Sequence, residues 1–90
     1  MIISRFPLGE LFYTSGVESS GIPDEVISAA FNRHLVGDFG DLDEHDCSMN
    51  ERAIRHGSQV LSSYQHEGIK FWIITDPDRT RTTVLLPSEY

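Results

Sequence analysis

The chain has 90 residues, enough for one domain with a single modest hydrophobic core, and its composition is that of a globular protein. Its formal net charge of −7 argues against direct nucleic-acid binding, because binding to a phosphate backbone draws on clustered Lys and Arg side chains. Cys47 is the only cysteine, which excludes an intrachain disulfide and fits a reducing cytosol; the sequence also lacks the run of about 18 apolar residues that predicts a membrane span.

The first part of the chain predicts two short strands, a loop and a helix. Residues 2–6 and 10–14 are strand-like and are separated by Pro and Gly, and residues 15–21 have the Ser and Gly content of a loop. Apolar residues recur at helical spacing over residues 23–36 and predict a helix there. Gly37 follows as the residue that ends this helix.

An acidic stretch comes next and contains the start of a second helix. Residues 38–51 include six acids and no Lys or Arg. Two N-caps compete for the helix start, Asp41 and Ser48, since each is followed three residues later by Glu in the spacing of a capping box. The helix is predicted to end near His56, with Gly57 as its cap.

The rest of the chain predicts three consecutive antiparallel strands at residues 59–65, 69–75 and 80–86. The middle one is almost entirely β-branched or aromatic and is apolar on both faces, which predicts a central strand. The sequence therefore predicts a single α+β domain over residues 1–90, in the order β-(β)-α-α-β-β-β. Two helices pack on one face of an antiparallel sheet that ends in a three-stranded meander.

Several stretches of this sequence together resemble a known protein family. They are FPLG at 6–9, GDFGDLDEHD at 37–46 with Asn50 after it, the strand at 57–64, and FWIITDPDRTRTTVLLPSEY at 71–90. The chain resembles a small, widespread family of bacterial proteins of unknown function that are often encoded on plasmids and other mobile DNA. The resemblance covers nearly the whole chain and brings no established catalytic residues. It implies a bacterial cytoplasmic protein that serves a mobile element as an accessory or counter-defence factor.

The acidic stretch is the main candidate for a partner-binding surface. Carboxylates on a helix and its leading loop can imitate the phosphate charges of a nucleic acid and dock on a basic protein, such as a CRISPR or restriction complex. The opposing interpretation is that these acids only cap a helix start, where the helix dipole favours them. The residues concerned are Asp38, Asp41, Asp43, Glu44 and Asp46.

A small ribonuclease-like toxin is the alternative from a different class. His56 would act as general acid or base, and Arg79 or Arg81 would stabilise phosphoryl charge, with Thr83 on the same strand face as Arg81. The structural interpretation is that His56 lies favourably at a helix C-terminus and that both arginines pair with the acids of the turn at 76–79.

No cofactor and no metal are predicted. The acids of residues 41–46 do not match a calcium-loop pattern, and Cys47, His45 and His56 lack zinc spacing. A third possibility is a homodimer that buries an exposed sheet edge or an uncovered sheet face. Trp72 is expected in the core, and its exposure beside Tyr64 or Tyr13 would favour an interface.

Overall fold

The computed structural model describes residues 4–90, so residues 2 and 3 of the first predicted strand lie outside the described part. The predicted α+β class and the C-terminal meander are confirmed. The elements are β1 (Glu10–Tyr13), α1 (Ser15–Ser19), α2 (Asp24–Leu35), α3 (Glu44–His56), β2 (Val60–His66), β3 (Ile69–Thr75), β4 (Arg81–Leu85) and a 3₁₀ turn (Pro87–Glu89).

The sheet has four strands in the order β1-β4-β3-β2. β2, β3 and β4 pair antiparallel as predicted, whereas β1 pairs parallel with β4, so the sheet is mixed and not wholly antiparallel as the sequence predicts. A parallel pair needs a long crossover connection, and here everything from α1 to β3 lies between the two strands. β3 is an interior strand, as its apolar residues on both faces predict.

A tight turn sets the register of the first hairpin. Glu67 and Gly68 have φ values of +49° and +82°, the positive values required at both central residues of a type I′ turn. This turn brings Tyr64 opposite Phe71 and Ser62 opposite Ile73. The side chains of all four are buried, on the sheet face that α2 covers.

Two predictions in the first quarter of the chain are wrong. Residues 4–6 are not a strand; instead the Arg5 N–H donates to the Leu35 carbonyl at the end of α2, at 2.8 Å. The predicted loop at 15–21 contains the short helix α1. Thr14 caps it by accepting a hydrogen bond from the Val17 N–H, and the Val17 side chain is buried.

The two longer helices lie where the sequence predicts them, but α3 begins at neither predicted N-cap. Its N-cap is Asp43, whose carboxylate accepts from the Asp46 N–H at 2.8 Å. Asp41 lies two residues before this cap, in the loop where its N–H donates to the Ser63 carbonyl of β2, and Ser48 lies inside the helix. Gly57 ends α3 with φ +75°, as predicted.

Loops and side chains cover the outer edge of β2. The Asn50 side chain of α3 donates to the Leu61 carbonyl at 2.6 Å and accepts from the Leu61 N–H at 3.1 Å. Further along, Ser63 donates to the Phe39 carbonyl and accepts from the Asp41 N–H. These bonds satisfy the outward backbone groups of Leu61 and Ser63 and fix the start of α3 and the acidic loop against the sheet.

A buried chain of hydroxyl groups runs through the interior from α2 to the loop before β1. The fully buried His34 contacts Ser62 Oγ through Nδ1 and Thr75 Oγ1 through Nε2, at 2.5 and 2.9 Å. Thr75 Oγ1 lies 2.8 Å from Thr82 Oγ1, and the Thr82 hydroxyl donates to the Leu8 carbonyl at 2.7 Å. All buried polar side-chain atoms in the described part of the chain have partners.

Candidate functional site

Two of the five candidate acids form hydrogen bonds with neighbouring residues of the same chain. Asp38 accepts two hydrogen bonds from the Arg33 guanidinium, at 2.8 and 3.2 Å, and one from the Gly40 N–H. The bond from Arg33 holds the pKa of the Asp38 carboxyl below its usual range. Asp43 is the N-cap of α3. The capping interpretation is therefore correct for Asp43, whereas Asp38 is engaged by an ion pair with Arg33 and caps no helix.

The other three acids are exposed. Asp41 lies in the loop before α3, and Glu44 and Asp46 lie in its first turn. Within residues 4–90, none of the three forms an ion pair with a Lys, Arg or His side chain. Their negative charges therefore face solvent at the positive end of the α3 dipole.

An apolar groove of about 310 Å³ includes one of these acids, Asp46, among its lining residues. We name it the acidic groove; its lining residues are Leu42, Asp46, Met49, Asn50, Leu61 and Trp72. The Met49 side chain is 50% exposed, although Met is an apolar residue on a helix that packs against the sheet. The groove thus combines an open apolar floor with a carboxylate among its lining residues.

The position of Trp72 differs from the expected one. Its side chain is only half-buried, on the face of β3 opposite the α2 side. The aromatic neighbour is Tyr90, whose ring centroid lies 5.6 Å away in an edge-to-face arrangement and whose side chain is 73% exposed. The neighbour is neither Tyr64 nor Tyr13, and a contact with Tyr90 was not predictable because it depends on the path of the chain after β4.

Arg79 has a structural role. Its guanidinium donates to the Ala53, Ser58 and Asp76 carbonyls, at 2.9, 2.6 and 3.1 Å. The first two of these carbonyls lie at the C-terminal end of α3, where the Ala53 carbonyl also accepts from the Gly57 and Ser58 N–H groups. The side chain thus ties the turn before β4 to the end of α3 by bonds to carbonyls, and the predicted ion pairs with the turn acids are absent among the described residues.

The other residues of the enzyme hypothesis lie in two separate places. Arg81 and Thr83 share one face of β4, where the Arg81 guanidinium lies 5.4 Å from the centre of the Phe12 ring. His56 is the last residue of α3 and lines a shallow pocket with Arg52 and other residues around the end of α3. Within residues 4–90, no hydrogen bond joins His56 to Arg81 or Thr83, and neither of the two lines that pocket.

No metal site is formed by the described residues, since no three His, Cys, Asp or Glu side chains group suitably. Cys47 is half-buried near the acidic groove, and burial together with the nearby acids raises the pKa of its thiol. A raised pKa leaves less of the reactive thiolate at neutral pH. Each helix in residues 4–90 falls short of the length and apolar character required to cross a membrane.

Comparison of the chain with protein-family models, with curated proteins and with solved structures gives no match. The resemblance to a family of mobile-element proteins therefore stays a prediction.

Proposed function

We propose that this chain is a non-enzymatic binding protein that docks on another protein through the acidic groove. The observation that carries the proposal is the apolar floor formed by Met49 and Trp72 beside the free carboxylate of Asp46. Met and Trp are both enriched in the buried centres of protein interfaces, and a charged rim is typical of their periphery.

The partner's chemistry follows from the groove's floor and charge. An apolar side chain of the partner would fill the groove and displace water from Met49 and Trp72. Lys or Arg side chains flanking it would meet Asp41, Glu44 and Asp46, and the protein's net charge of −7 would accelerate encounter with such a basic surface. The partner is thus a protein that presents an apolar anchor within a basic patch.

Imitation of a nucleic acid is the narrower form of this hypothesis. It requires a row of free carboxylates, and the engagement of Asp38 and Asp43 leaves three of the five candidates free. A docking surface that combines apolar contact with acidic side chains therefore fits these residues better than a row of carboxylates that imitates phosphates. The resemblance to mobile-element proteins extends the proposal. It suggests that the partner belongs to a host defence complex and that docking serves the mobile element.

Affinity capture from a bacterial host at two salt concentrations tests the proposal. The wild type is compared with Met49→Lys, which removes the apolar anchor, and with Glu44→Lys/Asp46→Lys, which reverses the rim charge. Glu18→Lys/Glu67→Lys is the matched control, because both glutamates are exposed outside the groove. We expect one protein, identified by mass spectrometry, to be retained by the wild type and the control and lost by both groove variants.

The salt response adds a second readout. Retention should weaken at high salt, since exposed charges are screened. Capture of the same protein by the wild type and both groove variants alike would contradict the proposal, and so would loss of capture in His56→Ala or Arg81→Ala with the groove variants unaffected. The latter outcome would favour the enzyme hypothesis.

A further inference from the structure

The two edges of the sheet differ in how their backbone groups are satisfied. The outer edge of β2 is covered at Leu61 and Ser63, whereas β1 forms the opposite edge. The N–H groups of Glu10 and Thr14 both donate to carbonyls on the β4 side, each at 3.0 Å. Because N–H directions alternate along a strand, the backbone N–H and C=O of Leu11 and Tyr13 point away from β4. Within residues 4–90, no other segment pairs with them.

The side chains of β1 leave this edge apolar as well as open. Leu11, Phe12 and Tyr13 are 52%, 42% and 50% exposed and follow one another directly. Edge strands are usually protected by Lys, by Pro, by a bulge or by a covering segment. The strand itself, ELFY, contains neither Lys nor Pro. An edge of this kind is a template for addition of another strand.

We propose that β1 pairs antiparallel with β1 of a second copy of this chain, about a twofold axis, to give a continuous eight-stranded sheet. A twofold pairing requires the same segment on both sides to be self-complementary. β1 meets this requirement, since its four outward backbone groups comprise two donors and two acceptors. They can form four hydrogen bonds with their symmetry copies.

The structure selects one register for this pairing, with Phe12 on the axis. Leu11 then exchanges both backbone hydrogen bonds with Tyr13 of the second copy, and all outward groups are used. A register centred on Leu11 would pair Tyr13 with Gly9, whose φ of +68° is not extended. A register centred on Tyr13 would pair Leu11 with Ser15, which belongs to α1.

The side chains fit the same register. The two Phe12 residues would form a non-hydrogen-bonded pair, in which side chains approach most closely. Leu11 and Tyr13 lie on the other face and line a groove of about 470 Å³, whose other lining residues include Val17, Ile27 and the acids Glu18 and Asp24. Leu11 and Tyr13 of the second copy would enter this groove. Glu10 would face Thr14 of the second copy, so no like charges lie directly opposite.

The exposed area sets the expected strength of the dimer. The three half-exposed side chains of each chain offer roughly 100 Å² apiece, or about 600 Å² for the pair of chains. Stable interfaces bury about 1,200–2,000 Å² in total, so this dimer belongs to the weaker, reversible class. Association should therefore depend on protein concentration.

Light scattering and sedimentation over micromolar to millimolar concentrations test the proposal. The average molar mass of the wild type should rise from the monomer value of 10.2 kDa toward twice that value. Phe12→Lys should weaken association about tenfold or more, because two like charges would meet on the axis. Leu11→Pro should weaken it as well, because it removes an N–H that only the dimer uses, at an edge position where Pro is tolerated.

Two control variants separate this surface from the acidic groove. Val36 and Met49 are 44% and 50% exposed and lie outside β1. Val36→Lys and Met49→Lys should associate as the wild type does, although the second variant is expected to lose the groove partner. Circular dichroism confirms that each variant is folded before its association is compared.

Oxidative cross-linking in a Cys47→Ser background tests the register. Phe12→Cys should form a dimer disulfide, since its copies face each other across the axis. Leu11→Cys should not, because its copies lie two positions apart diagonally, beyond the roughly 7 Å Cα separation that a disulfide can bridge. A wild type that stays at 10.2 kDa throughout, a dimer unaffected by Phe12→Lys and Leu11→Pro, or faster cross-linking at position 11 than at 12 would each overturn the proposal.

Discussion

Protonation of His34 should destabilise the fold as the pH falls below neutrality. The direction of each hydrogen bond in the buried chain follows from its end at the Leu8 carbonyl, which can only accept. Thr82 donates to it, so the Thr82 oxygen accepts from Thr75, and Thr75 in turn accepts from His34 Nε2–H. The remaining nitrogen, Nδ1, accepts from the Ser62 hydroxyl. Only the neutral imidazole can form this network, because a protonated ring has no nitrogen that can accept the bond from Ser62.

The size of the effect follows from the pKa of His34. Burial, with a smaller contribution from the positive charge of Arg79, lowers this pKa from 6.5 to about 4. Since the unfolded state binds the proton at a higher pH than the folded state, stability is full above pH 6.5 and is lost as the pH falls through 4. The difference in pKa corresponds to about 3 kcal/mol of unfolding free energy.

Urea unfolding followed by Trp72 fluorescence at several pH values between 4 and 7 measures this loss. In His34→Gln the group no longer titrates, so the free energy of unfolding should be lower at neutral pH and should fall much less in this range. His45→Gln is the matched control: His45 is exposed on α3, and this variant should keep the wild-type pH dependence.

The comparison depends on the slope against pH, so a general loss of stability in His34→Gln does not obscure it. If His34→Gln lost as much stability between pH 6.5 and 4 as the wild type does, protonation of other groups would account for the loss. The proposed direction of the hydrogen-bond chain would then have to be abandoned.

Two further substitutions test other contacts by denaturant unfolding. Asn50→Ala should lower the free energy of unfolding by about 2–3 kcal/mol, because both backbone groups of Leu61 lose their partner. An unchanged unfolding midpoint would mean that water replaces the Asn50 side chain without cost. Gly40→Ala should cost at least about 3 kcal/mol, since its Cβ would overlap the Ser63 carbonyl at a φ of +73°. Gly57→Ala, with a similar φ and open space around it, should cost only about 1–2 kcal/mol, and equal losses would refute the steric argument.

The elements with strong local signals were predictable from the sequence. The bounds of β3 at Ile69–Thr75 agree with the prediction, because β-branched and aromatic residues and flanking turns act locally. The span of α2 and the end of α3 at Gly57 likewise follow from apolar spacing and from glycine. The start of α3 was not predictable in the same way, since the pairing of Asp41 with β2 decided between neighbouring acids.

The acidic groove could be predicted only in part. The excess of acids is a property of composition and was visible at once, but the groove's floor joins Met49 of α3 to Trp72 of β3. That juxtaposition depends on where α3 lies, which the contacts of Asn50 with β2 fix. Similarly, nothing local indicates that β1 pairs parallel with β4, because that partner lies at the far end of the sequence.

The pairing of β1 with β4 also influences the order in which the chain folds. Glu10 lies beside Arg81 in the sheet, so most of the chain must be closed into a loop before this contact can form. Loop closure of this length costs entropy, whereas the β2–β3–β4 meander closes through short turns. We expect the meander to fold first and β1 to dock last and to detach first in native-state hydrogen exchange. The edge of β4 that β1 covers would then be exposed each time β1 detaches.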